Sequence, residues 1–305
     1  MGRRFFMAIN KSGSVFRSLQ VMFIHPVYFL YCIYCGMKTV VKMASSFARY
    51  GIWRTGVKRF VKGEGIQGGL YRWWIPDSLS FYFLWEEIFE KKRIYDFNPR
   101  SGEPLILDAG ANVGASVIFF KERFPRSRVI AFEADPEICS YLRRNIEENH
   151  IPEVEIHNEA VWVEDCILNF QQEGADGGHL ETSSGESGKK TVPIQAKDFR
   201  KVLQQYSHID FLKMDIEGAE NFVVPHLDGA LEHVDHIFIE YHQFKNSAPG
   251  LSKILSVLEK ASFAYVIKGG QDFESPFLNP SRHPEFSLQL EIFAWRKNSG
   301  EHIKS

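Results

Sequence analysis

Cysteine is scarce in this sequence, with four among 305 residues. That is too few for a disulfide framework, and it points to a reducing compartment. Cys32 and Cys35 have CxxC spacing but lie in an apolar run with no second pair, so packing is their reading rather than a metal or redox centre. No internal repeat runs along the chain. No small-residue cleavage site follows the first apolar run at signal-peptide distance, which speaks against secretion and for a cytoplasmic protein.

Acid is missing from the start of the chain. Residues 1–63 hold eleven Lys and Arg and no Asp or Glu, whereas the remainder carries 25 basic against 38 acidic residues. The formal net charge of −2 therefore conceals two parts with different partners. An acidic main body opposes nucleic acid as a ligand. Ser18 to Met37 is free of Asp, Glu, Lys and Arg and reaches the length of a membrane span, though Gln20, His25 and Pro26 interrupt it. From Met37 to Val61, apolar residues recur at helical spacing with Lys38, Lys42 and Arg49 on the other side. Residues 18–62 thus read as a basic, aromatic helical extension suited to the surface of an anionic membrane at its inner face, with a true span or simple packing as the other readings.

The chain divides on this basis into the extension 1–63, a lead-in segment 64–103 covering the cofactor site, and a catalytic domain 104–298. In the last, short apolar runs alternate with amphipathic helical patterns. Strands are expected at 105–109, 128–133, 154–157, 211–215, 236–241, 263–268 and 290–296. Helices are expected at 113–123, 136–149, 197–206, 219–231 and 250–261. The fold class is α/β: a doubly wound, mostly parallel seven-stranded sheet. Residues 161–170 and 191–196 flank a Gly/Ser/Glu-rich stretch and are expected to pair as an excursion from that sheet.

A GxGxxG dinucleotide fingerprint is also lacking. The first strand runs instead into Asp108-Ala-Gly110-Ala-Asn112-Val-Gly114, a glycine turn that brings backbone close to a ligand at the carboxyl edge of the sheet. An acid ahead of the first glycine suits an ammonium-bearing ligand better than a pyrophosphate. The amino group of S-adenosylmethionine is such a ligand. Glu133 ends the second strand, where a carboxylate accepts from ribose hydroxyls, and Ala160 lies where the third strand could edge an adenine.

The fourth strand reads Asp210-Phe-Leu-Lys213-Met-Asp215-Ile-Glu217-Gly-Ala-Glu220, with Lys213 and Asp215 on one face. Charges so placed are costly unless paired or functional. The fifth strand brings Glu240 and His242 to one face. Asp215 or His242 is read as general base, Glu217 and Glu240 as holding the acceptor, and Lys213 as part of the same constellation. No metal-ligand spacing stands out, so no metal is assigned, although the oxygen-rich strand ends leave Mg²⁺ open.

Together these motifs resemble the FkbM-type methyltransferase family over residues 85–269. Asp108–Gly114 is similar to its DVGANIG-like motif, Ala131-Phe-Glu133-Ala-Asp-Pro136 to AFEPxP, Lys213–Glu220 to KIDVEGAE and Glu240-Tyr-His242 to its ExH. Ala134 stands where that family usually has Pro, and Lys197-Asp198 where it has Leu-Asp. The resemblance implies a class I methyltransferase fold and methyl transfer to hydroxyl oxygens of sugars, glycans or natural-product scaffolds. The rival readings are a nucleotide-dependent oxidoreductase and a membrane-associated binding module that does not turn over. Oligomeric state is not legible.

Overall fold

Strand β3 (Leu105–Ala109) begins in the middle of the main sheet, and the chain winds outward from it in both directions. A computed structural model describes residues 61–92, 94–171, 179–180, 191–245, 247–269 and 286–296. From β3 the chain passes through α2 (Ala115–Arg123) to β4 (Arg128–Phe132), then through α3 (Pro136–Glu148) to β5 (Val154–His157). It returns to the other side of β3 as β10 (Ile209–Met214), then runs through α5 (Glu220–His226) to β11 (Val234–Phe244) and α6 (Leu251–Lys260) to β12 (Phe263–Gly269). Strand β13 (Phe286–Arg296) inserts between β11 and β12.

The order β12-β13-β11-β10-β3-β4-β5 is parallel except for β13, which pairs antiparallel to both its neighbours. This is the expected seven-stranded, doubly wound sheet. Its central strands are buried on both faces: all six residues of β10 are buried, as are four of five in β3 and β4. That is why they read as unbroken apolar runs rather than alternations. The winding reverses between β3 and β10, and the crevice beyond the carboxyl ends of the strands at such a reversal is where ligands bind in this architecture.

The excursion is a second sheet. β6 (Ala160–Trp162) lies parallel to β9 (Thr191–Asp198), and β7 (Cys166–Gln171) pairs antiparallel to β9 and to β8 (His179–Leu180). Helix α4 (Phe199–Leu203) follows, its first turn capped by the Asp198 carboxylate.

Ahead of the main sheet, β1 (Gly63–Gly68) and β2 (Tyr71–Ile75) form a two-stranded sheet. Helix α1 (Ser78–Trp85), capped by Asp77, then runs into a π-helical segment, Glu86–Lys92. Asn145 of α3 and Asn149, which caps its end, hydrogen-bond the backbone of β2. Asn145 accepts from Trp74 N–H (2.7 Å) and donates to Trp74 C=O (3.0 Å), and Asn149 does the same for Arg72 (2.8 and 2.6 Å). Four residues of helix advance about 6 Å and two of strand about 6.8 Å, so a helix with Asn at i and i+4 can stand in for a neighbouring strand.

The chain divides into two units, residues 1–56 with 67–70, and residues 57–66 with 71–305. Of the first, only Gln67–Leu70 are described, and there the Gln67 side chain donates to Gly69 C=O. The expected membrane-surface helix lies almost wholly outside the described residues. Among the described residues, no helix is long and apolar enough to cross a membrane.

Candidate functional site

The glycine turn owes its shape to a backbone crossing. Gly110 sits at φ +81°, and a Cβ there would lie 1.8 Å from the Asp215 carbonyl oxygen, so only glycine lets the loops after β3 and β10 meet. Gly114 (φ +92°) begins α2, and a Cβ there would press on Leu142; it serves helix packing and does not line the cleft below. Asn112 (φ +50°) and Glu217 (φ +51°) also adopt left-handed backbone. For residues other than glycine that costs energy, and such residues cluster where geometry is functional.

Two buried charge systems stand behind this surface. In the first, Lys213 pairs with Asp108 across the β10–β3 register (3.2 Å), approaches Asp215 (3.7 Å) and donates to Gly110 C=O (2.8 Å). Asp108 also accepts from the Ser116 hydroxyl (2.5 Å). Burial opposes the charge on Lys213, but Asp108 and Asp215 outweigh it and hold the ammonium protonated above its ordinary range. With only 3% of its side chain exposed, Lys213 organises the turn from beneath and is not positioned to touch an acceptor.

The second system surrounds His242. Its ring nitrogens lie 3.6 Å from Glu220, 3.8 Å from Glu217 and 3.9 Å from Glu240. Burial opposes protonation of the imidazole, yet these three carboxylates prevail and raise it well above the usual histidine range. Burial drives the Glu217 carboxyl well above its ordinary value. It also drives Glu240 up to about 8, helped by the charge of Asp215. Gln289 of β13, in register with His242, donates to Glu240 (2.5 Å) and lies 3.3 Å from His242.

Two cavities open onto this edge. The first, about 700 Å³ counting its open mouth, is lined by Gly110, Asn112, Glu133, Ile138, Ala160 and Phe170, with Asp215, Ile216 and Glu217 on one side. Glu133 accepts from the N–H groups of Asn112 (2.8 Å) and Asp135 (2.9 Å), while burial lifts its carboxyl to about 7. Asn158 ties the loop after β5 to this strand end through Glu133 C=O (2.8 Å). The second cavity, about 820 Å³ counted the same way, is walled by Asp77, Ser80, Phe81, Phe83, Leu84 and Glu87 of the lead-in segment and by Glu240, His242 and Gln289. Asn112, Asp215 and Glu217 line both.

The structure thus gathers Gly110, Asn112, Glu133 and Ala160 at one cleft and Asp215, Glu217, Glu240 and His242 at the next, with Asp108 and Lys213 beneath. Sequence reasoning missed Glu220, which is fully buried and accepts from Ile216 N–H (2.9 Å) and Gly218 N–H (3.0 Å), bracing the turn that carries Glu217. Its place at the end of the acidic run was the available signal. Gln289 had none, being delivered from 47 residues away by an antiparallel strand. Oxygens of Asp215 and Glu220 and a nitrogen of His242 come close enough to share a cation.

A family model described as the methyltransferase FkbM domain matches residues 108–265. A curated relative from Beauveria bassiana, methyltransferase 1, is 27% identical over 212 residues, covering 63% of this chain and 84% of that protein. A methyltransferase of Sordaria araneosa is 26% identical over 193 residues, covering 50% of this chain and 74% of that one. A solved FkbM methyltransferase from Methylobacillus flagellatus is similar over 68% of this chain and 46% of its own, at TM-score 0.44 and 14% identity. The family model takes in the glycine turn, the charged residues of both systems, strands β4, β5, β10 and β11 whole and parts of β3 and β12, so the chain belongs to the FkbM methyltransferase family and carries that family's methyltransferase domain.

Proposed function

We propose that this methyltransferase uses S-adenosylmethionine to methylate a hydroxyl oxygen on a sugar, glycan or sugar-like natural product. The observation that carries the reading is the wall shared by the two cavities. A cleft lined by the strand-end Glu133 and apolar side chains and a carboxylate-lined pocket meet at Asn112, Asp215 and Glu217, the geometry a two-substrate group transfer requires. The first cleft fits the cofactor. Glu133 offers buried carboxylate oxygens to ribose hydroxyls, Ile138, Ala160 and Phe170 provide apolar surface for the base, and Gly110, having no side chain, lets the methionine end come close to the turn. When bound, the cofactor supplies an electrophilic methyl group.

What the chain's own residues contribute is orientation and proton removal. Carboxylates in the second pocket accept from vicinal hydroxyls, and Phe81 and Phe83 offer flat apolar faces to a sugar ring. Alignment at near-attack distance lowers the barrier by several kcal/mol. The base role fits Glu240 and Glu217 better than His242. An imidazole held protonated has no lone pair to use, whereas a carboxylate with a raised pKa is a stronger base once it has lost its proton. His242, positively charged, positions the two glutamates.

Labelled-methyl transfer to cell-derived glycosides tests this. Glu240→Gln should lower kcat by about 10²–10⁴-fold while calorimetry shows adenosylhomocysteine binding unchanged. In the parent protein, activity should rise with pH through about 8, as Glu240 becomes a carboxylate, and Glu240→Gln should abolish that limb. Full activity in Asp215→Asn, Glu217→Gln, Glu240→Gln and His242→Asn alike would end the reading. Loss of activity in EDTA with recovery in Mg²⁺ would instead favour a cation at Asp215, Glu220 and His242.

A further inference from the structure

The second pocket is lined by carboxyl groups in a way that selects among sugars. Its lining includes the carboxyl groups of Asp77, Glu87, Asp215, Glu217 and Glu240, and none of its described lining residues is Lys or Arg. Two cations lie near, and both are already engaged. Lys213 is enclosed between Asp108 and Asp215 with its ammonium on Gly110 C=O, and its side chain is 3% exposed. His242 is 2% exposed and faces Glu217, Glu220 and Glu240. Neither can turn toward a ligand without leaving carboxylates unpaired in a buried place.

Asp215 stands among the causes that raise both Glu217 and Glu240, so the carboxyl groups already repel one another's charge. A phosphate brought beside them would add one or two negative charges to a site whose one cationic lining side chain, His242, is already held by Glu217, Glu220 and Glu240. Juxtaposing like charges is an effective device for rejecting a competitor.

Resting on the sugar-acceptor reading above, we infer that the pocket between the lead-in helix and the ends of β10 and β11 takes a phosphate-free, uncharged polyhydroxylated acceptor and rejects sugar phosphates and sugar nucleotides. Methylation at this site then falls late in a reaction sequence. The preceding step is one that releases phosphate or nucleotide, a glycosyl transfer or a dephosphorylation, leaving a neutral glycoside as substrate.

The test compares methyl transfer by the full-length protein to a panel of neutral phenyl hexosides, the matching hexose 1-phosphates and the matching uridine-diphosphate hexoses. The neutral glycoside should be preferred by at least 100-fold in kcat/KM. Phe83→Arg, which places a cation on the exposed part of the wall, should raise kcat/KM for the hexose 1-phosphate at least tenfold. Equal or better use of a phosphate-bearing sugar by the parent protein overturns the inference and leaves the sugar reading intact. If no sugar on the panel accepts a methyl group while adenosylhomocysteine still binds, the sugar reading falls and this inference with it.

Discussion

A single lysine decides whether the glycine turn can exist. Lys213 faces two carboxylates in a place water does not reach, and its third donor contact fixes the Gly110 carbonyl. Removing one member of such a set leaves the others charged and buried, which costs about 3–5 kcal/mol. Lys213→Met should therefore lower unfolding free energy by about that amount in urea titrations. An unchanged midpoint would show that the carboxylates find other partners. At this scale much of the site was legible: acids and a lysine at alternate positions of an apolar strand announce a functional edge. What the sequence could not show was division of labour. Lys213 and His242 differ from ordinary site residues by depth, set by which strand lies beside them, and His242, one of the two expected bases, is there held protonated by three carboxyl groups.

Among elements, legibility followed the kind of neighbour. Strands β3 and β5 lie where the apolar runs place them, because parallel strands flanked by helices are defined by their own residues. β11 and β13 run three and four residues beyond the expected spans, since their antiparallel pairing continues after the parallel neighbours have ended. The lead-in segment gave least warning. Its strand β2 shows no alternation, because Trp73, Trp74 and Ile75 are all buried, and part of its backbone hydrogen bonding comes from Asn145 and Asn149, in and at the end of a helix more than 70 residues later. Asn145 is fully buried with three hydrogen bonds, the third to Val113 C=O. Asn145→Ala should destabilise the domain by roughly 1–3 kcal/mol for each buried group left without a partner. It should also raise KM for the acceptor more than Kd for adenosylhomocysteine. The reverse pattern would show that the lead-in segment does not shape the acceptor pocket.

Over the whole molecule, the raised carboxyl groups set how stability responds to pH. Glu133 at about 7 and Glu240 at about 8 keep protons in the folded protein that the unfolded chain releases near 4.5, and protonated His242 acts in the same sense. Their contribution is fully present below the unfolded values and is lost as pH rises through 7 and 8. The urea midpoint should therefore fall between pH 5.5 and 8.5, and Glu133→Gln combined with Glu240→Gln should flatten the slope. A midpoint that climbs over that interval would contradict the assignment.

Asn145 has one more consequence. Its amide holds Val113, inside the glycine turn, and Trp74, two residues ahead of Pro76 on the wall of the second pocket. A molecule that stills one of these segments has already stilled part of the other. Linkage is reciprocal, so cofactor and acceptor should strengthen each other's binding by the same factor, whichever arrives first. In Asn145→Ala that mutual gain should vanish, leaving two sites that share a wall but no longer sense one another's occupants.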